Sequence, residues 1–181
     1  MRVGIASDHG GFELKEQILD HLREAGHEVI DFGAQTLSPA DDYPDFVVPL
    51  AYAVAEGRID RGVAMCDSRV GASVCANKIP EVRAALIHGH FSAKQGVEND
   101  HMNIICMGGR TMGSAVAADL VDTFLNAEFS QAERHLRRLA KLLLPKLSPL
   151  AASYSHKKGI RHEPHASSRA GYSHRHRPTL H

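Results

Sequence analysis

The chain has 181 residues and a formal net charge of zero, with 43% hydrophobic and 23% charged residues, the composition of an ordinary globular domain. This length suits one doubly wound domain. No apolar run approaches the roughly 18–20 residues of a membrane helix, and the first residues lack a signal-peptide pattern. The odd number of cysteines, three, argues against a disulfide framework. We therefore expect a cytoplasmic protein without membrane contact.

Strands and helices are predicted to alternate along the chain. Short apolar runs predict strands at 3–6, 27–33, 61–66, 82–88 and 103–109. Helical spacing predicts helices at 12–25, 43–56, 71–78, 113–126 and 130–143, with a short helix and loop at 90–100. This alternation predicts an α/β fold, a Rossmann-like three-layer α/β/α sandwich with a five-stranded parallel sheet.

The last segment, 151–181, differs in composition from the rest. It holds six of the 21 Lys and Arg residues, one of the 21 Asp and Glu residues and six of the 13 histidines. It lacks apolar periodicity, so we expect one domain over 1–150 and a disordered tail over 151–181. No recognised nucleic-acid fold accompanies its basic charge, so no nucleic-acid partner is expected. Its histidines have no fixed spacing that predicts a metal site.

Chemically rich residues follow the first strand. Ligands of parallel sheets bind beyond the carboxyl ends of the strands, where Asp8 and His9 lie. A carboxylate and an imidazole there can transfer protons or hold a sugar, and the glycines that follow let a phosphate approach the backbone. The alternative is that Asp8 only caps the next helix.

Two further groups carry candidate chemistry. Cys66 ends the third predicted strand, where a thiolate can act as base or nucleophile; the alternative is a buried cysteine that acts as a small apolar residue. Its place at the strand end favours function. On the last predicted helix, Arg134 and Arg138 share one face beside His135 and can clamp a phosphate. A solvated basic face is the alternative, and the helix alone slightly favours it.

Six segments together resemble the type B ribose-5-phosphate isomerase family, which includes the galactose-6-phosphate isomerase subunits: "SDHGGFELKEQI", "VIDFG", "DDYPDF", "VGASVCANKIPEVRAAL", "SAKQGVENDHMNIICMGGR" and "ERHLRRL". They run in family order from residue 2 to about 142. The resemblance implies an aldose–ketose isomerase of carbohydrate metabolism, of the ribose 5-phosphate/ribulose 5-phosphate type found in the pentose phosphate route. It also implies no metal or cofactor, and a homodimer or tetramer with sites at the subunit interface.

The resemblance also implies roles for individual residues. Cys66 would be the base that moves a proton through a cis-enediolate, and Asp8 would contact the substrate hydroxyls. Asn99 stands where many members have the histidine that opens the sugar ring. The substrate-binding residues would be His9, Arg134 and Arg138 at the phosphate, with Arg110 and His135 beside them, and the loop of Asp67, Ser68, Arg69, Val70 and Gly71 at the enediolate oxygen.

This chain departs from the family pattern at two places. The usual loop is Cys-Gly-Ser/Thr-Gly-x-Gly, whereas Asp67 and Arg69 replace its first two glycines. We expect these two residues to form an ion pair beside the reacting oxygen. Asn99 cannot shuttle a proton as histidine does, and His101 and Glu98 are the nearby titratable groups. These departures keep two alternatives open: a non-catalytic phosphosugar-binding paralogue, and a subunit of a hetero-oligomer.

Removal of the predicted tail provides the first test. Truncation after Leu150 should leave the melting temperature and the oligomeric state unchanged, because residues 151–181 have too little apolar content to offset the entropy lost on ordering them. Calorimetry and size-exclusion chromatography of the truncated and full chains measure both quantities. A clearly lower melting temperature after truncation would show that the tail packs on the domain.

Overall fold

The computed structural model describes residues 1–142 and contains one five-stranded parallel sheet. The strands are β1 (Arg2–Ser7), β2 (Glu28–Asp31), β3 (Arg61–Cys66), β4 (Ala84–Leu86) and β5 (Ile104–Gly108), in the spatial order β2-β1-β3-β5-β4. The helices are α1 (Phe12–Glu24), α2 (Tyr43–Ala55), α3 (Val70–Ala76), α4 (His90–Asp100), α5 (Ser114–Asn126) and α6 (Glu133–Leu142). The predicted boundary near Leu150 and the predicted tail lie outside the described residues.

The sheet separates two apolar cores. Side chains alternate along each strand, so Ile5 and Met65 face the core shared with α1, α4 and α5, whereas Ala64 and Cys66 face the core shared with α2 and α3. Both faces of the sheet are covered, as a parallel sheet requires. The predicted three-layer α/β/α sandwich is confirmed.

The strand order places a crevice at the carboxyl ends of β1 and β3. The chain leaves β1 toward α1 on one face of the sheet and leaves β3 toward α3 on the other face. Such a switch point is where open α/β sheets bind ligands. Ser7 pairs with Met65, and Cys66 pairs with Gly108 of β5, so the loops that follow β1, β3 and β5 begin at the same edge.

Three elements differ locally from the predicted ones. The edge strands β2 and β4 are shorter than the apolar runs that predicted them. Helix α4 occupies the whole of 90–100, where a short helix and loop were predicted. It is closed by His101, which has the left-handed backbone conformation (φ +53°) that usually marks a glycine at this position. Helix α4 therefore ends at a histidine and not at the glycine that usually signals the end of a helix.

Helix α6 leaves its apolar side uncovered by the rest of the described chain. Leu136 is 48% exposed and Leu142 is 63% exposed, while the buried residue of the helix is His135. Both leucines are therefore exposed with respect to the rest of residues 1–142. Between residues 1 and 142, no helix is both long and apolar enough to cross a membrane.

Candidate active site

The loops after β1, β3 and β5 pack backbone against backbone. The Gly109 N–H donates to the Cys66 carbonyl (3.0 Å), and the Arg110 N–H donates to the Asp67 carbonyl (3.3 Å). A Cβ atom on Gly109 would collide with the Gly10 carbonyl oxygen, so only glycine allows this approach. The three loops therefore form one continuous surface at the carboxyl edge of the sheet.

Asp8 and Cys66 lie on this surface and are almost fully buried, at 6% and 5% exposure. Asp8 Oδ1 accepts a hydrogen bond from the Gly10 N–H (3.0 Å), so Asp8 does cap the one-turn helix His9–Gly11. Burial raises the pKa of the Asp8 carboxyl, and this hydrogen bond opposes the rise. The carboxylate oxygens of Asp8 can accept hydrogen bonds from sugar hydroxyls.

Asp41 is a site residue that sequence reasoning missed. It lies in the loop between β2 and α2, and its Oδ1 accepts from the His9 backbone N–H (3.0 Å) and lies 2.6 Å from His9 Nδ1. This hydrogen bond raises the pKa of His9; burial opposes the rise, and the charges of Asp8 and Asp67 add to it. His9 therefore keeps a positive charge to higher pH, as an anion-binding residue needs. The quoted segment "DDYPDF" contained the signal.

Three side chains at this point could also hold a cation. The ligand atoms of Asp8, His9 and Asp41 lie within 4.8 Å of one another, and carboxylates with an imidazole are suitable metal ligands. In this structure Asp8 and Asp41 instead accept hydrogen bonds from Gly10 and His9. Asp8 Oδ1 and Asp41 Oδ1 are thus paired with protein donors, whereas Asp41 Oδ2 is buried without a hydrogen-bond partner among the described residues.

The loop after β3 keeps a glycine-like backbone despite its substitutions. Arg69 has the left-handed conformation, with φ +64°, and its Nη1 donates to Thr111 Oγ1 (3.1 Å). At the end of the loop, a Cβ atom on Gly71 would lie 2.8 Å from the ring of Tyr43. Tyr43 is a second neighbour that the sequence did not single out. Ser68 and Val70, which flank Arg69, are exposed.

The predicted ion pair between Asp67 and Arg69 is wrong. Asp67 Oδ1 pairs with Arg110 Nε at 3.0 Å, because the backbone bond between these residues already places Arg110 beside Asp67, whereas Arg69 reaches Thr111. Arg110 was expected to support the phosphate. Its side chain is 76% exposed, and an exposed pair contributes only about 0–1 kcal/mol, so an arriving phosphate could compete with Asp67.

Asn99, Arg134 and Arg138 belong to segments at the opposite end of the strands, where the strands begin. Asn99 is in the last turn of α4, just before β5 begins, and the backbone of Glu98 accepts from the Ser130 N–H (3.0 Å), which places the start of α6 there too. Arg134 and Arg138 follow on α6. Strand β3 separates this edge from Cys66 by roughly 16 Å, at about 3.3 Å per residue. One protomer does not bring the two groups together.

His135 has a different place from the predicted substrate contact. It is 3% exposed, its Nδ1 lies 2.6 Å from Ser130 Oγ, and its Nε2 accepts from Arg134 Nε (3.0 Å). Both ring nitrogens of His135 are thus hydrogen bonded, and the ring orients Arg134.

His101, the titratable residue near Asn99, stacks on Phe129 with ring centroids 4.7 Å apart. Burial lowers the pKa of His101.

The fold is that of an α/β protein whose polar residues gather at the carboxyl ends of the strands, where such sheets bind ligands. A family model described as Ribose/Galactose Isomerase matches residues 3–142. The chain therefore belongs to the ribose/galactose isomerase family, and the predicted aldose–ketose isomerase is confirmed at the level of the family.

Individual relatives agree with this assignment. Ribose-5-phosphate isomerase B of Mycolicibacterium paratuberculosis is 39% identical over 139 residues, which cover 77% of this chain and 87% of the relative. The structure of Clostridium thermocellum ribose-5-phosphate isomerase B superposes with a TM-score of 0.76 at 41% identity, covering 86% of this chain and all of that one. Ribose-5-phosphate isomerase B from Mycoplasma genitalium with bound ribulose-5-phosphate gives a TM-score of 0.75 at 35% identity, with coverage of 78% and 93%.

The backbone of Arg69 leads to a stability prediction. Arg69→Gly should raise the free energy of unfolding by up to about 1 kcal/mol, because a left-handed conformation costs a residue with a side chain about 1–2 kcal/mol and the greater freedom of glycine in the unfolded chain offsets part of that gain. Arg69→Ala is the matched control, since it removes the same bond to Thr111 but keeps the strain. Urea unfolding measures both, and equal stabilities for the two variants would contradict the explanation.

Proposed function

We propose that this chain interconverts an aldose phosphate and a ketose phosphate of the ribose 5-phosphate/ribulose 5-phosphate type, with Cys66 as the base. The observation that carries the proposal is the position of Cys66, buried at the switch point beside Asp8 and the loop 68–71. The names of the relatives support the substrate class, since several are ribose-5-phosphate isomerase B. One related structure has ribulose-5-phosphate bound.

The chemistry proposed for Cys66 is proton transfer between adjacent carbons. The thiolate removes the proton from C2 of the open-chain aldose, a cis-enediolate forms, and the resulting thiol returns that proton to C1. The hydroxyl proton moves from O2 to O1 in the same turnover, so atoms and charge balance. Asp8 would hydrogen bond to the hydroxyls of the substrate. The first backbone N–H groups of a helix lack an intrahelical acceptor, so those of Val70 and Gly71 are suited to stabilise the enediolate oxygen.

The phosphate would bind to cations from two loops. His9 is held by Asp41, which raises the pKa of its ring, and Arg110 can exchange the carboxylate of Asp67 for a phosphate. A guanidinium and an imidazolium can donate charge-assisted hydrogen bonds to different oxygens of one phosphate. The substrate would then extend from His9 toward Cys66 along the crevice.

A second copy of the chain would complete the site. Asn99, Arg134 and Arg138 are at the other edge of the sheet, so they can reach a substrate at Cys66 only from another protomer. The uncovered apolar side of α6 supports such an association, as a homodimer or as a pair of dimers. A cytoplasmic location belongs to the same proposal, and the three free cysteines suit a reducing compartment.

One observation favours a second candidate function, a non-catalytic phosphosugar-binding protein. The carboxylate of Asp67 lies against Gly10 in the crevice, where a negative charge would oppose an enediolate. Such a protein could also serve as one subunit of a hetero-oligomer. Isomerisation assays with tetrose, pentose and hexose phosphates separate the candidates, because binding without turnover of any of them would support the second.

Removal of the thiol tests the proposed base. Cys66→Ala should lower kcat by about 10²–10⁴-fold, the usual contribution of a positioned general base, and should leave sugar phosphate binding nearly unchanged. Fixed-time activity assays measure kcat, and calorimetric titration measures sugar phosphate binding. Cys75→Ala, which removes a thiol from α3, is the matched control and should retain activity. An unchanged kcat for Cys66→Ala would eliminate the assignment.

Mixed oligomers test the division of the site between copies. Cys66→Ala and Arg138→Ala should each be nearly inactive alone. After the two are unfolded together and refolded in equal amounts, about a quarter of the parent activity should return, because half of the dimers are mixed and each mixed dimer has one intact site. If both groups acted within one protomer, the mixture would stay as inactive as its components. Refolded parent protein provides the reference activity.

A further inference from the structure

Lys15 is an unusual residue of the fold, because its side chain is completely buried and takes no part in the chemistry described above. It lies on the buried face of α1, one turn before Ile18 and Leu19, and its ammonium group reaches the end of β2. Its Nζ lies 2.6 Å from Asp31 Oδ2, 2.9 Å from the Ala34 carbonyl oxygen and 2.8 Å from Glu16 Oε1. Three oxygens therefore surround the ammonium nitrogen, and those of Asp31 and Ala34 accept hydrogen bonds from it.

A buried ion pair of this kind is weak evidence for stability. Removing two charges from water is costly, and apolar replacements of similar volume are often neutral or stabilising. What such a pair does provide is a fixed geometry, because three acceptors must surround one nitrogen. The question is then which part of the molecule Lys15 and Asp31 hold in place.

The pair closes the turn that follows β2. Asp31 Oδ1 accepts from the Gly33 N–H (2.8 Å), and Lys15 binds the carbonyl of Ala34. The Ala34 N–H in turn donates to the carbonyl of Ser7 (2.9 Å). A Cβ atom on Gly33 would lie 2.7 Å from the Ser7 nitrogen and 2.8 Å from Lys15 Cδ. The turn is thus fixed against the last residue of β1, directly before Asp8 and His9.

The same loop ends at the partner of His9. Residues 35–40 are exposed, so packing does little to position them. Asp41 then returns to the surface of the domain and binds both the backbone and the ring of His9. Asp41 is thus held between two fixed points, the turn that Lys15 and Asp31 fix at residues 31–34 and the start of α2 at Tyr43.

We propose that Lys15, through Asp31, is a positioning residue for the phosphate-binding His9, because the pair fixes the loop that delivers Asp41 to it. This inference rests on the proposed function of His9. It assigns a role in substrate affinity to a side chain that has no access to the substrate.

The test compares Lys15→Met with Ile18→Val. Ile18 is a buried residue on the same helix that belongs to the apolar core and not to the loop contacts, so its variant controls for lost stability. The first readout is the pKa of His9 by NMR titration, with a His9→Gln spectrum to assign the resonance among the 13 histidines. The second is KM against kcat with ribose 5-phosphate.

In Lys15→Met the pKa of His9 should fall toward its ordinary value of 6.5, because Asp41 no longer stays beside the ring. Asp8 and Asp67, the other carboxylates near His9, remain in place. KM should rise about tenfold, as expected for a misplaced binding group, with kcat little changed. Ile18→Val should alter neither quantity.

Asp31→Asn keeps the size of the side chain and gives the same readouts if Lys15→Met does not fold. The proposal is overturned if the pKa of His9 stays at the parent value in the folded variant, whether or not KM changes. Because His9 titrates without substrate, this result is independent of whether the parent turns over any sugar phosphate. A failure of the proposed isomerase activity is therefore distinguishable from a failure of this inference.

Discussion

The candidate site depends on one packing constraint, the contact between the backbones of the loops that follow β1, β3 and β5. A Cβ atom on Gly109 would collide with the backbone of Gly10, and one on Gly10 would collide with Asp67, while the bond from Gly109 to the Cys66 carbonyl joins the second and third loops. This contact brings the nearly buried Asp8 and Cys66 to one surface while it leaves the ring of His9 partly exposed beside them. Without this contact between the loops, the polar residues at the three strand ends would not share one surface.

The two substitutions that distinguish the loop after β3 alter its charges while its backbone stays suited to glycine. Arg69 adopts the left-handed conformation and extends to Thr111, and Asp67 pairs with Arg110. Both side chains therefore reach the loop after β5, where they add two contacts to the two backbone hydrogen bonds already there. The substitutions add polar contacts between these loops, while the left-handed backbone of Arg69 costs stability, and Arg110 partly offsets the charge of the Asp67 carboxylate.

The sequence predicted the order of the elements well because strand and helix periodicities are local properties, and the rule for parallel sheets then identified the edge at which Asp8 and Cys66 meet. The separation of Asn99 from Cys66 also follows from strand direction alone, since a residue that precedes β5 cannot lie where β5 ends. The partners of Asp67 and His9 could not be predicted. They depend on the left-handed turn at Arg69 and on the path of the loop before Asp41, which are set by contacts between residues distant in sequence. The burial of His135 depends likewise on Ser130 and the packing of α6.

The length of β3, roughly 16 Å, separates Cys66 from the opposite end of the sheet, and this has a consequence for how such an enzyme would work. One protomer offers a sugar phosphate Cys66, Asp8 and His9 at one end of the strands, whereas α6 with its arginines follows Ser130, which binds Glu98 at the other end. If a second copy supplies those arginines, folding of the protomer and formation of the site become separate steps, and only the second depends on concentration. The exposed apolar residues of α6 lie on the same helix as Arg134 and Arg138. Burial of that helix against a partner would therefore place the two guanidinium groups and stabilise the assembly through a single contact.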